Sequence, residues 1–366
     1  GGAGQRPVGG RAMTAKPSGP CRRSRGIAAA ACAVCAVFVA FLQLLGASVP
    51  RCSFAEHGVL NRRKGRMEVS VADRGQPGSA KRGDVAPRGP ISADRAVSLG
   101  VPQEYAAEVS KLTASLADLD SELAHPMMLA RFVRFLGNAT EAEAMVRRSA
   151  AWREEVNIER IMSEWGAQDE NGWHLAPQTS RAALADRHFC GGRLSHTTRD
   201  GSPVIVARLG LCDISGIARE GLGDLILNQF IFLLEDTLRA VHAKSVAEKR
   251  LALASVVVDI SGLSLGIVRH LELPRKFADI MNMYYPDMAG TVAIVNAPYM
   301  FETIWKVVSL LLDPATVAKV RILGKAFGRG VEEQCKLDAA ILPSFLGGEA
   351  SETEVPAALP VPARAG

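Results

Sequence analysis

The stretch from Met283 to Val320, MYYPDMAGTVAIVNAPYMFETIWKVVSLLLDPATVAKV, restricts the fold more than any other part of the chain. Tyr284-Tyr285-Pro286 ends a helix, because the residue before a proline is pushed out of the α region. Thr291–Val295 is a β-branched run between Gly290 and Asn296-Ala297-Pro298, which predicts a short buried strand. From Tyr299 to Leu312 the apolar residues Met300, Ile304, Val307, Val308 and Leu311 recur at helical spacing, and Asp313-Pro314 stops that helix. Helix, turn, strand and apolar helix in this order call for a layered α/β domain.

The order YYP, NAP, DP-x-TV-x-K at this spacing resembles the CRAL-TRIO lipid-binding family, whose members include a phosphatidylinositol/phosphatidylcholine transfer protein. Other segments carry the same resemblance. Arg131-Phe132-Val133-Arg134, and Ala144-Met145 followed by Trp152-Arg153, look like the family's small N-terminal helical unit. Asp200-Gly201-Ser202-Pro203 before Val204–Arg208 is similar to its D-G-x-P-V hairpin, and Leu342 to Gly348 to its closing signature. The resemblance implies a small helical unit followed by a domain whose mixed, mostly parallel sheet forms the floor of an apolar cavity. Helices cover that sheet, and one of them acts as a gate.

The residue pattern elsewhere agrees with such a domain. Helices are expected over Glu104–Ala124, Met128–Leu136, Thr140–Val156, Leu222–Lys244, Leu273–Tyr284 and Gly330–Leu337. Strands are expected over Val204–Arg208, Ala252–Ile260 and Val320–Leu323. Order begins near Val101, giving a helical unit over 101–165, the lipid-binding domain over 185–349, and Pro/Ala-rich residues 350–366 without a fold.

Charge divides the chain at about residue 100. Residues 1–100 hold 16 Lys/Arg against 5 Asp/Glu, and the remainder 27 against 33. The acidic remainder excludes a nucleic-acid-binding face, which needs basic residues to displace counterions from phosphate. Residues 1–26 form a basic terminus rich in Gly, Pro and Arg. Residues 27–49 are uncharged and long enough to cross a bilayer core of roughly 30 Å. They predict a signal anchor or a signal peptide, and so a membrane or secretory-pathway location. Residues 50–100 have the composition of a disordered basic linker, with Arg62-Arg63-Lys64 and Arg66 as a cluster that anionic lipid could attract.

Catalytic patterns fail on inspection. Gly262-Leu263-Ser264-Leu265-Gly266 matches G-x-S-x-G after a strand, the form of a hydrolase nucleophile elbow. Such an enzyme needs an acid and then a histidine after the serine, and His270 follows Ser264 with no separated acid between them. A serine hydrolase using Ser264 is a remote alternative. No phosphate-binding loop, no H-E-x-x-H and no metal spacing among the seven histidines occurs. The cysteines, seven in number, form no disulfide or zinc framework. The expectation is a protein that is not an enzyme, has no metal or cofactor, acts as a monomer, and takes a lipid and a membrane surface as partners.

The resemblance also assigns a site. It implies that Thr316 and Lys319 hold a phosphate, that Asp287 accepts hydrogen bonds from inositol hydroxyls, and that Met300, Phe301, Ile304, Trp305, Val308, Leu311 and Leu312 belong to the gate helix. Phosphatidylinositol is the ligand this set points to. Three of the family's basic headgroup positions fall on Leu136, Gly137 and Met288, with Arg134 or Arg321 as candidate substitutes. The positions that hold phosphatidylcholine fall on Ala254, Val256 and Ile205. Those losses point to a sterol or isoprenoid lipid as the alternative cargo, and to a lipid-sensing interaction module as an alternative role.

Overall fold

The computed structural model describes residues 89–165, 181, 184–185, 188, 191–262, 272–299, 301, 305–306 and 314–349. Five helices come first: α1 Ala93–Ser98, α2 Gln103–Ser115, α3 Pro126–Leu136, α4 Ala139–Glu155 and α5 Ile158–Trp165. Then follow β1 Gly191–Thr197, β2 Pro203–Arg208, α6 Ile214–Arg219, α7 Gly223–Glu248, β3 Ala254–Asp259, α8 Glu272–Tyr284 and β4 Ala289–Val295. After these come α9 Pro314–Lys319, β5 Val320–Ile322 and α10 Gly328–Cys335, and two 3-10 turns, Ala339–Ile341 and Ser344–Leu346, close the described elements.

The helical unit is set by local chemistry. Proline opens α3, where its missing N–H costs nothing, and the His125 side chain caps it by accepting from the Met127 N–H at 3.1 Å. Gly137 closes α3 in the left-handed region at φ 84°. Asn138, two residues before Thr140 where the helix was expected to begin, accepts from Glu141 N and caps α4. The long helix expected over Glu104–Ala124 instead stops at Ser115, and a separate 3-10 turn covers Glu122–Ala124. Helix α1, capped by Ser92, lies inside the segment expected to be linker. Gly100 then passes so close to α7 that a Cβ there would sit 2.5 Å from the backbone of Lys249.

The strands form one sheet in the order β1-β2-β3-β4-β5, with β1 and β2 antiparallel and all other pairs parallel. The β-branched runs that predicted buried strands are buried on both faces, as parallel strands covered by helices must be. Val204, Val206, Val257, Ala293 and Val295 meet Phe327, Val331, Leu337 and Leu346 of the C-terminal segment. The opposite face presents Val258, Val292, Ile294 and Val320 to Phe301, with Val256 and Trp305 alongside. α7 and α8 pack with α2, α3 and α4 into the largest core.

The expected membrane or secretory-pathway location is corrected here: among the described residues no helix is long and apolar enough to cross a membrane. Residues 27–49, on which that expectation rested, lie outside the described residues, as does Ser264.

Candidate functional site

Asp287 sits where the helical unit, α7 and the end of the sheet meet. The helix α8 runs out at Tyr284 because Pro286 cannot continue it. Both tyrosines are then used as anchors. Tyr284 stacks on Trp152 of α4 with ring centroids 4.0 Å apart and an interplanar angle of 6°. Tyr285, 4% exposed, donates its hydroxyl to Glu235 Oε2 of α7 at 3.0 Å. Arg153 of α4 also reaches Glu235, at 3.1 Å, and its guanidinium lies over the Tyr285 ring. Burial and the neighbouring Glu235 carboxylate hold the Tyr285 phenol well above its ordinary pKa, so it stays a donor. Held on both sides, the chain turns through Asp287 at φ 53°, a conformation that a short polar side chain tolerates.

Three cations surround that turn. Arg131, with 0% exposure, donates from Nη1 to the Asp287 carbonyl at 3.1 Å. Its Nη2 bonds Ser245 Oγ and the Ala252 carbonyl, each at 2.7 Å, and the Val241 carbonyl at 3.3 Å. Burial lowers its pKa to about 10, with Asp287 opposing the shift, so it remains charged at neutral pH. Lys319, the last residue of α9, donates to Asp287 Oδ1 at 3.3 Å, and Arg134 Nε lies 3.2 Å from Oδ2. One buried carboxylate therefore faces two partly exposed cations, with a third cation behind it. The cluster carries excess positive charge beside a buried turn, an arrangement whose charge-assisted donors suit an anionic group.

The sequence-derived site is placed unevenly. Asp287 and Lys319 come together directly, although 32 residues separate them. Asp287, expected to accept from a ligand, already accepts from Lys319. Of the two candidate substitutes for the family's lost basic residues, Arg134 joins the cluster. Arg321 instead donates to the Ala318 and Val320 carbonyls at 2.6 and 3.0 Å. Thr316 lies in α9, but its side chain is outside the described residues. In the gate segment Phe301 is buried on the sheet face and Trp305 packs beside it. Met300, Ile304, Val308, Leu311 and Leu312 are outside the described residues.

Three buried charged residues were given no place in the site from sequence: Arg131, and the pair Arg153 and Glu235. A signal existed for each. Arg131 interrupts Pro126 to Val133, every residue of which is buried, and Glu235 ends the run Phe230 to Leu234. A charge in such a position demands a partner.

The α/β sheet thus carries an apolar layer under Phe301, with the cationic cluster at its edge. Residues 191–348 match the CRAL/TRIO domain family, and the chain carries a CRAL/TRIO domain over that span. It is 28% identical over 252 residues to Protein real-time of Drosophila melanogaster, covering 66% of this chain and 35% of that protein. It is 24% identical over 230 residues to the SEC14 cytosolic factor of Eremothecium gossypii, covering 62% and 70%. The crystal structure of Sfh5 overlays with a TM-score of 0.41 at 12% identity, over 66% of this chain and 83% of that one. The chain spans about a third of the length of the first curated relatives it matches.

Proposed function

We propose that the CRAL/TRIO domain binds one lipid, with its hydrocarbon against the Phe301–Trp305 face of the sheet, and transfers or presents it at membranes without covalent chemistry. The observation that carries this reading is the Arg131–Arg134–Lys319 cluster around Asp287, at the edge of that apolar layer. Phosphatidylinositol is the ligand it fits best. Its phosphate takes the place of the Asp287 carboxylate as the acceptor for Lys319 and Arg134, and Asp287 is released to accept from the inositol hydroxyls. Charge-assisted hydrogen bonds in a partly buried site are the strong kind, which suits a headgroup contact that must be made and broken at an interface. Thr316, one helical turn before Lys319 at this end of α9, is assigned as a further phosphate donor. Nothing in this action calls for a metal, a cofactor or a second subunit.

A less polar cargo is the second reading, and a specific observation favours it. Ala254 is buried, Val256 packs against the cluster that holds Phe301, and Ile205 packs against the helical core, so hydrocarbon stands where a choline headgroup would need polar groups. Mass spectrometry of the lipid that co-purifies with the chain separates the two. Phosphatidylinositol is the expected species. Recovery of sterol or isoprenoid alone would overturn the headgroup assignment, and a chain that binds lipid yet moves none between vesicles would be a sensing module.

A further inference from the structure

A cavity of about 180 Å³ opens at the amino ends of β3 and β4, between the hairpin turn at Asp200, the loop 250–253 and the end of α10. A bulge makes the room. Ala254 pairs with Ala289 and Ser255 with Thr291, so Gly290 stands unpaired and the ladder is broken there. Successive side chains on a strand alternate between faces. Val257 and Ala293 pack in the core that includes Val331 and Cys335 of α10, and Ser255 and Thr291, two residues before them, share that face. The cavity therefore lies across the sheet from Phe301, whose cluster takes Val258, Val292 and Ile294.

The lining is polar and rich in donors. Ser255 is 8% exposed, and its hydroxyl makes no hydrogen bond among the described residues. A buried hydroxyl without a partner is uncommon, and one that lines a cavity is placed to meet a ligand. Thr291 beside it and Gln334 at the end of α10 add side-chain donors that are likewise unpaired among the described residues. Two cations stand at the mouth. Lys336 gives one N–H to Asp200 Oδ2 at 3.1 Å and Arg250 gives Nη2 to Glu248 at 2.6 Å, and each keeps further donors. Asp200 is the one acid among the described lining residues. Burial works to raise its pKa, yet bonds from Thr198, Ser202 and Lys336 outweigh that and hold it well below the usual carboxylate range, so its charge is already answered. Burial pushes the Cys335 thiol up to about 11, so it adds no negative charge.

We propose that this cavity is a second binding site, for a compact oxyanion of the phosphate type, held by the Ser255 and Thr291 hydroxyls, the Gln334 amide and the cations Lys336 and Arg250. Two cations against one carboxylate favour an anion, and hydrogen bonds to a charged acceptor are the strong kind. The volume falls below the roughly 300–1,000 Å³ of pockets for drug-sized ligands, which excludes a nucleotide or a lipid and leaves room for a phosphate group. Because it lies across the sheet from Phe301, the site is independent of whichever lipid the Asp287 cluster serves.

Phosphorus NMR titration of the full chain at constant ionic strength tests this, with inorganic phosphate and methyl phosphate as separate probes. Saturable binding is expected. Tighter binding of inorganic phosphate identifies the free ion as the ligand, and equal or tighter binding of the ester identifies a phosphomonoester. Ser255→Ala weakens binding about three- to tenfold, the range for one hydrogen bond to a charged group. Its urea midpoint stays level or rises, because the lost hydroxyl has no described partner in the fold. Lys336→Gln weakens binding about two- to fivefold, as a solvent-screened contact should. Arg329→Gln removes a charge at an 87% exposed position of α10 outside the cavity and leaves the affinity unchanged. No saturable binding of either probe, undiminished binding in Ser255→Ala, or equal losses in Arg329→Gln and Lys336→Gln would each overturn the assignment. A lowered midpoint in Ser255→Ala passes the decision to Lys336→Gln, an exposed position, where no loss counts against the site.

Discussion

Arg131→Met measures how much the buried guanidinium contributes to joining the helical unit to the lipid-binding domain. Arg131 has 0% exposure and donates to four acceptors, so its loss is felt in several places. Ser245 Oγ still donates to Val241 O and accepts from Ala252 N at 3.0 Å, so that hydroxyl stays satisfied. The Asp287 and Ala252 carbonyls lose the arginine as a donor, and a buried carbonyl left unpaired costs about 1–3 kcal/mol. Methionine recovers the packing and removes the cost of desolvating a charge, which offsets part of the loss. The net expectation is a destabilisation of about 2–4 kcal/mol. Urea unfolding of the full chain followed by tryptophan fluorescence reads this as a lower midpoint with an unchanged slope. Lysine does not rescue the loss, because one ammonium cannot reproduce the fork that spans Asp287 and Ala252. A midpoint equal to or above that of the parent chain would refute the reasoning, since the bonds would then be worth no more than the burial they require.

Two further outcomes follow from positions outside the ligand cluster. Burial, followed by His125 and Arg131, depresses the His242 pKa from 6.5 to about 4, so the unfolded chain binds a proton that the native chain does not. Stability from this group is therefore complete above about pH 6.5 and falls as the pH drops towards 4, by about 1–2 kcal/mol between pH 7 and pH 5. His242→Gln flattens that part of the pH profile, and an unchanged slope would show that other groups cause it. Gly100→Ala forces a Cβ to within 2.5 Å of the Lys249 backbone at a residue with φ 103°, and costs about 2 kcal/mol or more by the same unfolding assay.

The fold was legible where the signal is local. Val256 to Val258 and Val292 to Val295 announce strands by their β-branched runs, and Pro286 fixes the end of α8 whatever surrounds it. Short elements were not legible. α1 has six residues and one capping serine, too little pattern to separate it from linker, and Leu116 to Ser121 breaks a helix without a proline or glycine to mark the place. The candidate site was legible as a list of residue types, through Asp287 and Lys319. Its architecture was not, because Arg131 meets Asp287 across 156 positions and Arg153 meets Glu235 across 82. Only the folded chain brings those charges together. The same distance effect explains why Arg134 and Arg321 looked equivalent in sequence although only Arg134 faces Asp287.

The central claim is that the cationic cluster at Asp287 receives a phosphorylated inositol headgroup. Transfer of labelled phosphatidylinositol between donor and acceptor vesicles, for the parent chain and for Lys319→Ala, tests it most directly. Lys319 is 18% exposed at its side chain and gives up its contact with Asp287 to meet the phosphate, so the net loss is that of one charge-assisted hydrogen bond, about 1.5 kcal/mol. The account predicts phosphatidylinositol transfer by the parent chain and about tenfold weaker transfer by Lys319→Ala at limiting lipid. Undiminished phosphatidylinositol transfer by Lys319→Ala would contradict it.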